Sequence, residues 1–483
     1  MKAFEIPLPE VQKRLAFENP WWVAGNGIDP ERRNWPRRAY FQPFRNLVGE
    51  LGVHRAIVLI GPRRVGKTVM LSQTIQSLLD QGVPGTHILQ LSLDTPLYSG
   101  RSLESMVRIF TELHRHPVDR QLWVFFDEIQ YVKDWEVHLK SLVDSFRHIR
   151  FVASGSAAAA LRMKSRESGA GRFSDFVLPP LTFAEYLDFA GLTNALISEE
   201  VKPESVLPAY FTPVIERLNA AFVDYLNYGG FPEAVMNSVV RENPARFLRQ
   251  DIVEKVLLKD LPSLYGIADT QELNRFFNVL AYNTGDEVSL EALSKHSGIG
   301  KLKLQDYLEY LEAAFLIRRV HRLDDNARRL QRTRTFKVYL TNPSIRAALF
   351  GYIDAHDPAI GALAETAVWS QWLHSTGTIE SLHYARWKQG RSDLEVDLVS
   401  IDARTQTPRF MVEIKWSDRP YSDWSELRGI RTLAERYPLA RKPLVTTLTM
   451  AGSGKDGPLE IDFVPTSLHC YTIARNLLRG AQQ

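Results

Sequence analysis

Residues 55–82 read RAIVLIGPRRVGKTVMLSQTIQSLLDQG, and no other stretch narrows the choice of fold as far. The run is a short apolar strand, a glycine-containing loop and an amphipathic helix stopped by Gly82. Within it Gly61, Gly66, Lys67 and Thr68 complete the pattern G-x-x-x-x-G-K-T, with Pro62, Arg63, Arg64, Val65 and Val69 filling and flanking the loop. Glycines let backbone N–H groups turn inward around an anion. The helix N-terminus adds a favourable dipole, Lys67 supplies a point charge and Thr68 a hydroxyl able to ligate Mg²⁺. The stretch is therefore expected to hold the β- and γ-phosphates of a nucleotide; Arg63 and Arg64 can touch phosphate or bind elsewhere and receive no catalytic role.

Beyond Gly82 the chain alternates strand and helix. THILQLSLD, LWVFFDEIQ, IRFVASGS and RFSDFVLP read as further strands, separated by helices near SLESMVRIFTELH, WEVHLKSLVDSF and AAAALRMKSR. Such alternation predicts a parallel sheet with helices on both faces. The third strand buries four large apolar residues and presents Asp127 and Glu128 at its C-terminal end, the sheet edge where the phosphate loop lies. Asp127 is suited to hold Mg²⁺ through water and Glu128 to orient and deprotonate an attacking water. Ser154, ending the fourth strand, either senses the γ-phosphate or makes a plain turn.

NPWW, GPRRVGKT, FFDEIQYVKDWE, SGSAA, ESGAGRF, LPPLTFAEYL and GGFPEA occur in that order. Together they resemble the AAA+ superfamily of ATPases, and more narrowly the prokaryotic ATPases whose C-terminal half is a domain of unknown function. The resemblance implies ATP and Mg²⁺ as cofactors. It also implies an arginine that reaches a neighbouring copy's γ-phosphate, a place taken by Arg172 or, failing that, Arg166; a local pair between Arg172 and Asp175 or another acid is the competing use. Trp21, Trp22 and Trp35, interleaved with arginines, can stack on bases or pack against the ATPase.

From Leu187 to about Arg249 the chain turns helical, broken at NYGGFPEAV, and the resemblance suggests a small lid. EVSLEALSKHSGIGKLKLQDYLEYLEAAFLIRRV then gives a short helix, a turn at Ser297 to Gly300, and a longer helix whose apolar stripe is Leu304, Tyr307, Leu308 and Leu311. This is a helix-turn-helix pattern with a wing strand after it. Arg318, Arg319, Arg322, Arg328, Arg329, Arg332, Arg334 and Lys337 come next, against only Asp324 and Asp325. Such a run suits phosphate-backbone binding, though a solvated face also accounts for it.

Near the tail, EVDLVS and FMVEIKWSD place acids at alternate positions of apolar strands. Phe410, Val412, Ile414 and Trp416 are expected on a core face, while Met411, Glu413 and Lys415 share a face that carries chemistry or meets solvent. Leu394, Val396 and Leu398 repeat the pattern against Glu395 and Asp397. With Glu365 in the helix GALAETAVWSQWLHS, the order helix, three strands, helix resembles the PD-(D/E)XK nuclease core. That resemblance implies Asp397 and Glu413 as Mg²⁺ ligands, Glu365 completing the shell and Lys415 activating water. Cross-strand ion pairs without cleavage fit the same spacing.

The expected whole is an α/β chain: an N-terminal extension (1–40), an AAA+ phosphate-loop domain with a three-layer parallel sheet (41–186), a helical lid (187–250), a winged helix-turn-helix region (251–337) and an α/β PD-(D/E)XK nuclease-like domain (338–483). At 483 residues and 45% hydrophobic the chain is long enough for about three cores. A net charge of +3 decides nothing about partners. The single cysteine, Cys470, excludes an intramolecular disulfide and a cysteine-based zinc site. Without an apolar leader or membrane-length run the chain reads as cytoplasmic. The expected function is ATP binding and hydrolysis with DNA as partner, bound and cleaved through the metal-dependent nuclease-like domain under nucleotide control; the alternative is a non-nucleolytic nucleotide switch or scaffold for a protein partner, and a homo-oligomer is compatible with both.

Overall fold

The computed structural model describes residues 7–156, 171–201, 207–323, 335–437, 439 and 441–482. They divide into two compact units, Met1–Leu178 and Pro179–Ala481. Among the described residues no helix is long and apolar enough to cross a membrane. The helix expected at AAAALRMKSR, Arg166, and the four arginines 328, 329, 332 and 334 lie outside the described residues.

In the first unit, β1 (Ala56–Ile60), β2 (Ile88–Ser92), β3 (Leu122–Asp127), β4 (Ile149–Gly155) and β5 (Phe173–Val177) form one sheet in the order β2-β3-β4-β1-β5. Every pairing is parallel. β1 and β4 are buried at every residue, as strands covered on both faces must be. Three helices, α1 (Lys67–Asp80), α2 (Leu103–Leu113) and α3 (Trp135–Ser145), lie between the strands in sequence. The order brings the C-terminal ends of β3, β4 and β1 side by side at one edge, the usual ligand edge of such sheets.

The N-terminal segment is sewn to this sheet. Asn19 donates to Gln90 O (2.9 Å) and accepts from Gln90 N (2.6 Å). The indoles of Trp21 and Trp22 both donate to Ile88 O. Of the two uses open to these tryptophans, packing is the one adopted.

The second unit begins with α4 (Phe183–Phe189), capped by a Thr182/Glu185 capping box. A two-stranded ribbon, β6 (Ser198–Glu200) and β7 (Ala209–Phe211), interrupts the expected helical stretch before α5 (Ile215–Tyr228). Further on, α6 (Leu290–Ser297) starts at Ser289, whose hydroxyl accepts from Ala292 N, and stops at Gly298, φ +74°. α7 (Lys301–Ala313) comes after it, with Leu304, Tyr307, Leu308 and Leu311 buried as its stripe predicts.

Nine strands make the main sheet of this unit, in the order β15-β16-β14-β13-β12-β11-β9-β10-β8. They are β8 (Glu287–Ser289), β9 (Ile317–Leu323), β10 (Thr335–Leu340), β11 (Leu382–Gln389), β12 (Ser392–Ile401), β13 (Pro408–Glu413), β14 (Leu444–Thr447), β15 (Gly452–Asp456) and β16 (Leu459–Pro465). The strands that follow α6 and α7 thus continue into the tail strands: β9 runs parallel to β11 through Tyr384↔Arg322 and Ala385↔Leu323. Three helices of the tail are α8 (Ile360–Trp372), α9 (Arg428–Arg436) and α10 (Thr466–Gln482).

On the face expected to carry chemistry or meet solvent, Met411 and Glu413 are 0% and 6% exposed, while Lys415 keeps about a third of its side chain exposed. And β12 does not alternate throughout. His383 pairs with Val399 while Ala385 pairs with Val396, so one residue of β11, Tyr384, stands opposite two of β12 and the extra residue falls at Asp397–Leu398. Leu394 and Val396 then share one apolar cluster with Val399, Ile401 and Met411, and Leu398 is left out of it. A bulge re-aims the side chain beside it, and that side chain is Asp397.

Candidate functional site

The loop after β1 is shaped by close approach. A Cβ on Gly61 would lie 2.2 Å from Leu178 O, so only glycine fits, and Gly66 turns at φ +96° to start α1. Lys67 is 5% exposed, and its ammonium donates to the loop's own carbonyls, Gly61 O (3.0 Å) and Pro62 O (2.8 Å). Arg64 takes φ +65°. Arg38, buried, donates to Val65 O over 2.7 Å and braces the loop from the N-terminal segment.

Across the sheet edge, Asp127 is 2% exposed and accepts from the hydroxyls of Ser154 and Thr68. Burial, then the neighbouring Glu128, push its carboxyl above the ordinary carboxylate range, against the hydroxyls and Lys67. A buried carboxylate and a hydroxyl meeting at the mouth of a phosphate loop suit a hard divalent cation carried in with a triphosphate. Glu128 sits at φ +57°, ψ +49°, a left-handed conformation uncommon for glutamate. Its N–H donates to Ser154 Oγ (3.2 Å), and its carboxylate accepts from Gln130, whose Oε1 in turn accepts from Ser156 N (3.2 Å). Ser154 is fully buried and ties the two acids together. Gln130 and Arg38 were not singled out from the sequence; only position relative to the motif, two residues past Glu128, could have drawn attention to Gln130. Arg172 pairs with Asp144 of α3 at 2.8 Å, both half exposed.

The second cluster lies at the tail. Glu365 of α8, Glu395 and Asp397 of β12, and Glu413 and Lys415 at the end of β13 come together, joined by Lys337 of β10. Lys415 Nζ is 2.7 Å from Glu413 Oε1 and 3.7 Å from Asp397 Oδ2. Asp397 Oδ2 also accepts from Ile414 N (2.8 Å). Lys337 Nζ lies 2.9 Å from Glu365 Oε1, 2.5 Å from Glu395 Oε1 and 3.9 Å from Asp397 Oδ1. Tyr339 OH donates to the same Glu365 oxygen. Burial and then Asp397 raise the Glu413 carboxyl to about 8, while Lys415 pulls the other way. Burial alone would discharge Lys337, but Tyr339, Glu365, Asp397 and Glu395 outweigh it and hold it charged.

The fit of Mg²⁺ to this cluster fails on its donors. Lys337 fills the space between Glu365 and Asp397, and among the described residues no three acids or imidazoles converge as a metal-holding group. Glu413 Oε2 is buried without a partner, one orphaned oxygen where a shell needs several. In KVYL Lys337 shares a strand face with Tyr339, the spacing of the E-x-K at the end of β13, but that spacing does not point to acids on other elements.

The basic run is largely neutralised where it is described. Arg319 pairs with Glu312 (2.6 Å), Arg322 approaches Glu287 (3.8 Å), and Lys337 is the buried lysine of the acid cluster. Lys337 therefore does not stand in a solvent-facing stripe.

Residues 53–187 match the family model of an AAA domain, and residues 219–356 that of a domain of unknown function (DUF8612). An uncharacterized protein of Haemophilus influenzae is 26% identical over 301 residues, covering 61% of this chain and 69% of that protein. The uncharacterized protein MJ1637 of Methanocaldococcus jannaschii is 26% identical over 329 residues, covering 65% and 66%. MJ1544 of the same organism is 24% identical over 270 residues, covering 54% and 55%. The matched segments thus span from about half to about two thirds of these relatives' length. A parallel five-stranded sheet, a glycine-turned phosphate loop and the domain match together support an AAA-type P-loop ATPase in the first unit.

Proposed function

We propose that this protein binds ATP with Mg²⁺ and hydrolyses it at the loop–sheet edge of its first unit, and that the second unit passes the nucleotide state to a DNA partner. The observation that carries the first part is the meeting of Lys67, Thr68, Asp127, Glu128 and Ser154 at the ends of adjacent strands. Thr68 and Asp127 would hold Mg²⁺, which supplies charge neutralisation at the phosphates when bound. Lys67 exchanges its two carbonyl partners for phosphate oxygens. Glu128 orients the attacking water and takes its proton, and Ser154 and Gln130 fix the backbone and carboxylate from which it does so. Phosphate release from purified protein tests this: Lys67→Ala should lose nucleotide binding, and hydrolysis at the wild-type rate by that variant removes the reading.

DNA is favoured over a purely protein partner by a groove of about 910 Å³ in the second unit, lined by three arginines, Arg318, Arg319 and Arg322, and one acid, Glu380, beside Gln305 of α7. Arg318 lies outside the Arg319–Glu312 and Arg322–Glu287 pairs and is the arginine there that would meet a phosphate backbone, an attraction with strong salt dependence. Fluorescence anisotropy with labelled duplex, repeated at rising salt, tests it; no binding at low salt leaves the protein-partner alternative. Of the two readings of the tail cluster, the non-cleaving one is supported by Lys337 among the acids. Nicking of supercoiled DNA that depends on Mg²⁺ and on Lys415 would overturn it.

A further inference from the structure

We propose that Lys337 is a built-in counter-cation standing where a divalent ion would bridge the tail acids, so that Glu365 serves as a partner of this lysine and not as a metal ligand. The proposal rests on the non-cleaving reading of the cluster and goes beyond it by naming the group responsible.

Lys337 comes from β10, a strand outside the helix, three strands and helix that carry the nuclease-like pattern. It reaches the acids because β10 belongs to the same nine-stranded sheet as β12 and β13. Its side chain is 5% exposed. The ammonium engages Glu365, Glu395 and Asp397 and lies 5.4 Å from the Tyr384 ring centroid and 6.0 Å from that of Tyr339. Three carboxylates and two aromatic faces form a complete cage for a monovalent cation. Lysine carries only a point charge and no fixed geometry, which is what substitution for an ion requires.

The arrangement excludes a second cation at the same place. An ion bridging Glu365 and Asp397 would lie within a few ångströms of Nζ, where like charges in a buried pocket repel strongly. What remains for an added ion is the corner of Asp397 and Glu413. There Asp397 Oδ2 already accepts from Ile414 N, and Lys415 stands against both acids. The backbone holds the lysine in place: Lys337 pairs with Val320 on one side and Glu287 on the other, so β10 is an interior strand.

Terbium titration of the full chain without nucleotide tests this, since Trp369 stacks on Tyr339 (5.2 Å) and sensitises an ion bound in the cluster. Wild type should give no saturable Tb³⁺ emission that Glu365→Gln weakens. Lys337→Met, which keeps the apolar stem and removes the charge, should gain a saturable site at least tenfold tighter, lost again in Lys337→Met/Glu365→Gln and displaced by Mn²⁺. If Lys337→Met does not fold, the wild-type and Glu365→Gln titrations still decide: a one-equivalent site in wild type that Glu365→Gln weakens tenfold would overturn the proposal, and its absence supports it. ATP hydrolysis and nicking are scored separately, so loss of either reading is seen apart from the other.

Discussion

The backbone N–H of Glu128 donates to Ser154 Oγ over 3.2 Å, while that same hydroxyl donates to Asp127. One fully buried serine therefore sets both the strand-end acid and the acid next to it, which stands in a left-handed conformation. Non-glycine residues in that region cost of order 1–2 kcal/mol, and such strain persists only where the surroundings hold it.

Ser154→Ala should lower turnover about tenfold with a smaller change in nucleotide affinity, because Glu128 loses its backbone anchor and Asp127 a hydrogen bond. Glu128→Gln should lower it about a hundredfold or more and leave binding intact. Steady-state phosphate release beside calorimetric ATP titration separates the two effects.

Arg172 and Asp144 are an exposed pair, so Arg172→Ala is expected to change stability by less than about 1 kcal/mol. If Arg172 reaches the phosphate of a second copy, the variant loses the part of ATP turnover that rises with protein concentration. Turnover unchanged across a dilution series assigns the residue to its local pair alone.

Removing Lys337 leaves the mostly buried Glu365 and the partly exposed Glu395 without their cation. Lys337→Ala should cost about 3–5 kcal/mol, with part recovered in Lys337→Ala/Glu365→Gln. Urea titration, following the transition of the second unit by the fluorescence of Trp369, provides the measurement.

His469 of α10 keeps some exposed surface, but its Nε2 is buried without a partner, and burial lowers its imidazole from 6.5 to about 4. The folded chain then binds fewer protons than the unfolded chain between these values. Stability is fully present above pH 6.5 and falls as pH drops towards 4, by at most about 3 kcal/mol from this group. His469→Leu should flatten that stretch of the wild-type profile; an unaltered slope would show that the ring is hydrated.

Much of the first unit was legible because its signals are local. The spacing of Gly61, Gly66, Lys67 and Thr68, and the apolar run ending in Asp127, are each read within a dozen residues. The tail was legible as strands and acids but not as a site. Strict alternation put Leu398 with Leu394 and Val396, and the bulge at Asp397–Leu398 undid that. Lys337 was counted with the arginines that surround it in the sequence, although its contacts are with acids 28 or more residues away.

By itself the sequence determined a glycine-turned loop on a parallel sheet, two helices separated by a turn at Gly298, and acid-bearing strands, since glycine conformation, side-chain periodicity and helix stops act over short range. Only the tertiary structure decided which charges meet. Strand order and the extra residue in β12 bring an interior lysine among Glu365, Glu395 and Asp397, and the energy of a buried charge depends on its neighbours in space, which no spacing along the chain encodes.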